Sequence, residues 1–151
     1  MPTIEWLRYE AKKASRNLFH GWYDSAIARC GVLSMYLAYV LLRSNGMITI
    51  RNLTDIEAEL CGLGGQDDWL KLLLKRGVLT SDQAEILWQM AQYRIRHSPH
   101  LFNLPRYVGA HCLVDGIRTV NAFHTLLNDN NFVAKIPEDS VPECVWGFWL
   151  G

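Results

Sequence analysis

Residues 92–100 read QYRIRHSPH, and this short stretch holds Arg94, Arg96, His97 and His100. A histidine titrates near neutral pH and can act as a general acid or base. An arginine stays charged and can hold two oxygens of one phosphate at once. Such a pair could therefore cleave a phosphodiester. The same residues also have a simpler interpretation as a charged helix end, where arginines complement the helix dipole.

The spacing between arginine and histidine is weak information by itself. Pairs separated by four to six residues occur three times in this chain, as Arg94–His100, Arg106–His111 and Arg118–His124. About one such match is expected by chance in a chain of this size and composition. The second and third pairs fall inside the predicted last helix, whereas the first lies at the break before it. Position along the chain therefore singles out Arg94 and His100.

Composition narrows the classes of protein that this chain can belong to. Its 151 residues predict a single domain, and its 15 basic and 15 acidic residues balance, which argues against a nonspecific nucleic-acid coat protein. The cysteines Cys30, Cys61, Cys112 and Cys144 are scattered without metal-ligand spacing. We therefore expect free buried thiols and no metal or other cofactor. We also expect a cytoplasmic protein, because the N-terminus has no apolar signal-peptide run.

Apolar periodicity predicts an all-α, up-and-down bundle of four main helices plus a short one. A proline at position 99 ends the fourth helix, because the residue before proline disfavours helical geometry. Between the second and third helices, residues 47–65 predict a short β-like run and one or two helical turns capped by Thr54. The expected helices are Thr3–Leu18, a second from Asp24 or Ser25 to about Arg43, a third over 67–77, a fourth opened by a Thr80–Gln83 capping box and ending near His97 or Ser98, and a last from about Pro105 to the NDNN run at 128–131.

The same periodicity predicts which side chains face the core. The second helix is almost continuously apolar over 26–42, which is at the lower limit of the length that spans a bilayer, but a buried central helix is the better interpretation. Arg29 on that helix should pair with a carboxylate such as Asp24 or Asp115. Predicted inner stripes are Ile4, Leu7, Ala11, Ala14 and Leu18 on the first helix, Ala84, Leu87, Ala91 and either Met90 or Ile95 on the fourth, and Leu113, Ile117, Val120, Phe123 and Leu127 on the last; Arg8, Glu10, Lys12, Lys13 and Arg16 are expected to face solvent.

The C-terminal segment differs from the rest of the chain. We expect residues 1–134 to form the bundle and residues 135–151 to form an apolar, aromatic tail. Trp146, Phe148 and Trp149 are too apolar to remain in water. The tail should therefore either fold back over its own bundle or dock on a partner.

Two segments of this chain together resemble the HEPN superfamily of small α-helical proteins. They are the second helix, which begins YDSAIAR, and the fourth helix, which runs into an arginine–histidine motif. The resemblance covers about residues 3–128. It implies a homodimer whose two motifs form one composite site, with Arg94 and His100 catalytic and Arg96 and His97 binding substrate. The activity it implies is metal-independent endoribonuclease cleavage of RNA, in a toxin or defence effector restrained by an antitoxin or regulatory protein.

Two positions depart from the family pattern. Ile95 follows the motif arginine where members usually carry a polar residue, and Phe102 stands where some toxins carry a tyrosine that a partner modifies. A catalytically inactive HEPN-like module that binds a protein or nucleotide partner is therefore the alternative. A third interpretation is an unrelated bundle, in which Arg94 and His100 would lie apart and exposed.

Overall fold

The computed structural model describes residues 2–47, 66–97 and 110–138. Within these ranges the chain is helical and has no strand, so the predicted all-α bundle is confirmed. The helices are α1 Thr3–Phe19, α2 Tyr23–Ser44, α3 Gln66–Lys75, α4 Ser81–Arg96, α5 Ala110–Asn128 and the single turn α6 Asn130–Val133.

The central element is α2, which packs against α1, α3, α4 and α5. Its apolar run allows burial on almost every side, and Leu33, Leu37 and Leu41 are fully buried. By length and composition α2 could also cross a membrane, but 72% of its most apolar window is already buried inside the bundle. One helix of this kind is weak evidence for a membrane span, because the core helix of a soluble protein has the same composition.

The face of α1 that contacts α2 includes a charged residue that the sequence misplaces. Glu10 was expected in solvent, yet it is 1% exposed and accepts a hydrogen bond from Arg29 of α2. Arg29 therefore pairs with Glu10 rather than with Asp24 or Asp115. The physical reason is helical geometry: Glu10 follows Leu7 by one turn and lies on the same buried face. The Arg29 guanidinium, whose side chain is 21% exposed, compensates the charge of the buried Glu10 carboxylate.

The boundaries of α4 match the sequence prediction. Thr80 caps the helix, with its hydroxyl accepting from the Gln83 backbone and the Gln83 side chain accepting from the Thr80 backbone. This is the predicted capping box. At the other end the helix stops at Arg96, with His97 at the C-cap. The inner stripe uses Met90, which is fully buried, whereas Ile95 is 55% exposed.

The buried face of α5 is rotated from the predicted one. Val120, Phe123 and Leu127 lie in the core as expected, but Leu113 and Ile117 are 36% and 43% exposed. The first half of the helix instead buries small or polar side chains, namely Cys112, Asp115, Gly116 and Thr119. Apolar spacing misses this face because it is not apolar.

The chain turns sharply after α5. Asp129 caps α6 by accepting from the backbone of Asn131 and Phe132, and Phe132 is fully buried. Ile136, in the first part of the predicted tail, also packs on the core.

Several predictions lie outside the described residues. These are the β-like run and the Thr54-capped turns, the start of the last helix at Pro105, His100, Cys61, Cys144 and the three large aromatic side chains of the tail.

Candidate functional site

The last turn of α4 places Arg94 across α2. Gly31 makes this crossing possible, because a Cβ at that position would overlap the Cβ, Cγ and Cδ of Arg94. The arginine stem thus lies directly on the α2 backbone. Arg94 remains exposed, and it forms no hydrogen bond or ion pair within the described ranges. Its guanidinium is available for an anion from outside the bundle.

Arg96 and His97 are held by one carboxylate of α5. Asp115 Oδ2 lies 3.2 Å from Arg96 Nη1 and 2.7 Å from His97 Nε2, so both side chains donate to the same oxygen. The Arg96 guanidinium also lies over the Tyr93 ring, with Cζ 5.6 Å from the ring centroid. Arg96 keeps 51% of its side chain exposed, whereas the His97 side chain keeps 1%. The Asp115 carboxylate therefore orients both side chains, with Arg96 toward solvent and His97 toward the interior of the bundle.

Cys112 completes the buried part of this cluster. Its Sγ lies 3.4 Å from His97 Nδ1, on the side of the ring opposite Asp115. Burial raises the pKa of the Cys112 thiol, and the Asp24 and Asp115 carboxylates raise it further. A protonated thiol can donate to Nδ1 while the imidazole donates from Nε2 to Asp115. The cluster thus forms a hydrogen-bonded chain from Cys112 through His97 to Asp115.

The structure brings together part of the predicted site. Arg94, Arg96 and His97 all lie at the C-terminal end of α4, where the sequence places them, but they differ in role. Arg94 is exposed and unpaired in the described ranges, Arg96 is half exposed and bound to Asp115, and His97 is buried. The substrate-binding prediction for Arg96 and His97 stays a prediction. His100, three residues beyond His97, lies outside the described residues, so the Arg94–His100 pairing also stays a prediction.

The competing arginine–histidine pair on α5 does not converge on the same place. Arg118 is exposed, while Nε2 of His124 lies 2.8 Å from Ser15 Oγ of α1. His124 therefore links α5 to α1, which is a structural contact within the bundle.

Three residues of the site were missed by reasoning from sequence: Gly31, Cys112 and Asp115. One signal was present, because Cys112 and Asp115 are three residues apart on a helix and so share a face. The partner of that face, His97, comes from another helix. Nothing in local spacing indicates that contact.

The site therefore combines Arg94, a cation without a partner in the described ranges, with Arg96, a half-exposed cation held by the buried Asp115 carboxylate. This arrangement can bind a phosphate or carboxylate oxygen at the surface. Within the described ranges, no three histidine, cysteine, aspartate or glutamate side chains converge as metal ligands. No protein-family model matches this sequence, and the comparisons with curated proteins and with solved structures found no match.

Proposed function

We propose that this chain is a metal-independent endoribonuclease of HEPN type that acts as a homodimer, in the role of a toxin or defence effector. The observation that carries the proposal is Arg94, an exposed arginine without a described partner, two residues before α4 ends at Arg96 and six residues before His100 in the sequence. A buried or paired arginine at this position would have argued against a phosphate ligand.

The proposed reaction needs no group beyond those on the chain. The ribose 2′-hydroxyl attacks the adjacent phosphorus, its proton passes to a base, and the 5′-oxygen leaves after receiving a proton. The products are a 2′,3′-cyclic phosphate and a 5′-hydroxyl. Arg94 stabilises the negative charge on the phosphorane. His100 and its copy in the second protomer move the protons.

Arg96 contributes to the proposed site through its anchor. Because Asp115 holds one guanidinium nitrogen, Arg96 loses little side-chain freedom when it meets a substrate oxygen. His97 does not need to reach the substrate to matter, since its Nε2 donates to the same Asp115 oxygen that holds Arg96. The proposal thus treats Arg96 as a substrate-binding group and His97 as a positioning residue.

A second candidate function is a catalytically inactive module that binds a protein partner, with an antitoxin or regulator as one such partner. The observation that favours it is a groove of about 500 Å³ between α3 and α4, lined by Leu70, Leu74, Ala84 and Trp88 among others. Leu74 and Trp88 are 42% and 40% exposed there. An apolar groove of this kind suits a helix or extended segment of another protein.

The deciding experiment compares RNA cleavage by four purified full-length proteins in EDTA. These are the wild type, Arg94→Ala, His100→Ala and Arg118→Ala. We expect the first two variants to lose at least about 100-fold in rate, the range for removing a general acid–base or an oxyanion-stabilising group. Arg118→Ala is the matched control, because it removes an exposed arginine with the same spacing to a histidine.

The products separate true cleavage from contamination. Cyclic-phosphate ends, seen by mass spectrometry, are expected from the wild type and from Arg118→Ala. Cleavage that survives in both Arg94→Ala and His100→Ala would contradict the proposal. Absence of cleavage by the wild-type dimer would favour the binding module. Urea unfolding of each variant controls for loss of fold. Arg94→Ala should cost about 1 kcal/mol or less, because the guanidinium is exposed and only the stem atoms beyond Cβ leave the contact with Gly31.

A further inference from the structure

The turn between α1 and α2 exposes an unusual amount of aromatic surface. Phe19 is 88% exposed and Trp22 is 58% exposed, with the exposed His20 between them. Large apolar side chains at this exposure lose the free energy that burial would supply. A contiguous exposed cluster of this type commonly marks a binding surface. We call Phe19, His20 and Trp22 the turn cluster.

The rings of the turn cluster contact one another. The Phe19 and His20 centroids are 5.7 Å apart with the planes at 83°, an edge-to-face contact. The His20 and Trp22 centroids are 5.1 Å apart with the planes tilted by only 31°. The three rings thus form one continuous patch.

The backbone beneath these rings is fixed by hydrogen bonds. Gly21 has φ of 79°, its N–H donates to Leu18 O at 3.0 Å, and the Trp22 N–H donates to Asn17 O at 2.8 Å. This pair of bonds is the Schellman motif, which ends a helix rigidly. A ligand that stacks on these rings would therefore not have to order a flexible loop first.

Two other turns show that exposure is not a consequence of this motif. Gly46 and Gly77 end α2 and α3 with the same pair of backbone bonds. The apolar residues that follow them, Met47 and Val78, pack against the core. Trp22 occupies the equivalent position after Gly21 and instead projects into solvent. Its exposure is thus specific to the first turn.

The turn cluster lies next to the arginine site. Leu18 and Tyr23, which flank the turn, both lie against Gly116 of α5, where a Cβ would come within 2.8 Å of Leu18 Cδ2 and 3.7 Å of Tyr23 Cβ. Gly116 directly follows Asp115, the carboxylate that holds Arg96. The aromatic patch and the cations therefore lie at the same end of the bundle.

We propose that the turn cluster is a base-stacking platform that holds single-stranded RNA beside Arg94 and Arg96. The inference rests on the proposed function and adds the form of the substrate. Exposed rings stack on any base, and Arg94, which has no acid partner within the described ranges, can attract the phosphates between bases. The turn presents flat rings, and Arg94, at the same end of the bundle, has no acid partner within the described ranges, so its charge favours a polyanion over a neutral protein surface.

The test measures RNA binding separately from cleavage. A fluorescein-labelled 12-nucleotide RNA of mixed sequence is titrated with full-length protein in EDTA, and anisotropy gives Kd. The variants are Phe19→Ala/Trp22→Ala, Trp22→Phe, and Trp88→Ala, which removes an exposed tryptophan from the groove between α3 and α4. We expect the double variant to bind at least about 10-fold more weakly, the loss typical of removing stacked rings. Trp22→Phe should retain most binding and Trp88→Ala should bind like wild type.

Each outcome separates the platform from the nuclease. RNA binding that needs the turn cluster in a protein that cuts nothing would support the platform and contradict the proposed function. Cleavage with unchanged KM in the double variant would overturn the platform and leave the nuclease standing. Equal Kd for the double variant and wild type would overturn it as well. If wild type binds no RNA and the double variant loses self-association by light scattering, the turn cluster is a protein interface and the platform is wrong.

Discussion

At the scale of single residues, each buried charge described here has a partner from another helix. Glu10 of α1 receives Arg29 of α2, and Asp115 of α5 receives His97 and Arg96 at the end of α4. A buried carboxylate without a cation is costly, so each of these contacts favours the packing in which the neighbouring helix supplies its partner. These pairs therefore specify which helices meet. Arg94 differs, because its exposed guanidinium pairs with no carboxylate in the described ranges.

The buried thiol of Cys30 gives a testable pH dependence. Burial raises its pKa to about 12 from an ordinary value of 9.0, with the Arg29 guanidinium acting in the opposite direction. The unfolded chain loses this proton above pH 9 while the folded protein keeps it. Stability from this group is therefore complete below pH 9 and falls as pH rises toward 12. The slope reaches at most about 1.4 kcal/mol per pH unit.

Urea unfolding of wild type and Cys30→Ala between pH 8 and pH 11 isolates that contribution. Other groups titrate equally in both proteins, so the difference between the two free energies of unfolding should shrink as pH rises above 9. A difference that stays constant across the range would mean that Cys30 ionises as readily in the folded protein as in the unfolded chain.

At the scale of elements, the contact of α2 with α4 decides where the arginine site lies. Glycine is the only residue type at position 31 that lets the Arg94 stem cross α2 at this distance, because any Cβ there would overlap the stem. Gly31→Ala gains up to about 1 kcal/mol of helix propensity, but it places a methyl group into the Arg94 stem. We expect a net loss of about 1–3 kcal/mol, typical of overpacking. Urea denaturation at pH 7 measures it.

A compensating change provides the control for this contact. Arg94→Gly removes the atoms that the new methyl group would meet, so it should recover part of the loss when combined with Gly31→Ala. The two single variants and the double variant form a cycle that isolates the coupling. Additive effects would indicate that the two positions do not touch.

At the scale of the whole molecule, the proposed homodimer needs an apolar surface that one chain leaves uncovered. Leu113, Val114 and Ile117 lie on one outward face of α5 and are 36%, 44% and 43% exposed. We expect Ile117→Lys to convert the dimer to a monomer of 17.3 kDa, as measured by light scattering. Leu74→Lys on α3 is the matched control and should remain dimeric. A wild-type protein that is monomeric at micromolar concentration would contradict the homodimer.

The sequence alone predicted the fold class, the helix ends that carry clear capping or turn residues, and the position of Arg94 and Arg96 at the end of α4. Capping boxes, glycine turns and apolar stripes act within a few residues, so one chain segment contains all the information needed. For the same reason the central role of α2 was readable from its continuous apolar run. The correct inner face of α5 was not, because it is small and polar.

Only the tertiary structure decided which polar groups meet. Glu10 looked like a solvent-facing residue until α2 supplied Arg29, and His97 looked like part of an exposed motif until α5 supplied Asp115 and Cys112. Such contacts join residues that are 15 to 19 positions apart in the chain. Their energy depends on burial and on exact approach of two helices, and neither quantity is encoded in local spacing. The exposed rings at the α1–α2 turn were likewise visible only once the bundle left them uncovered.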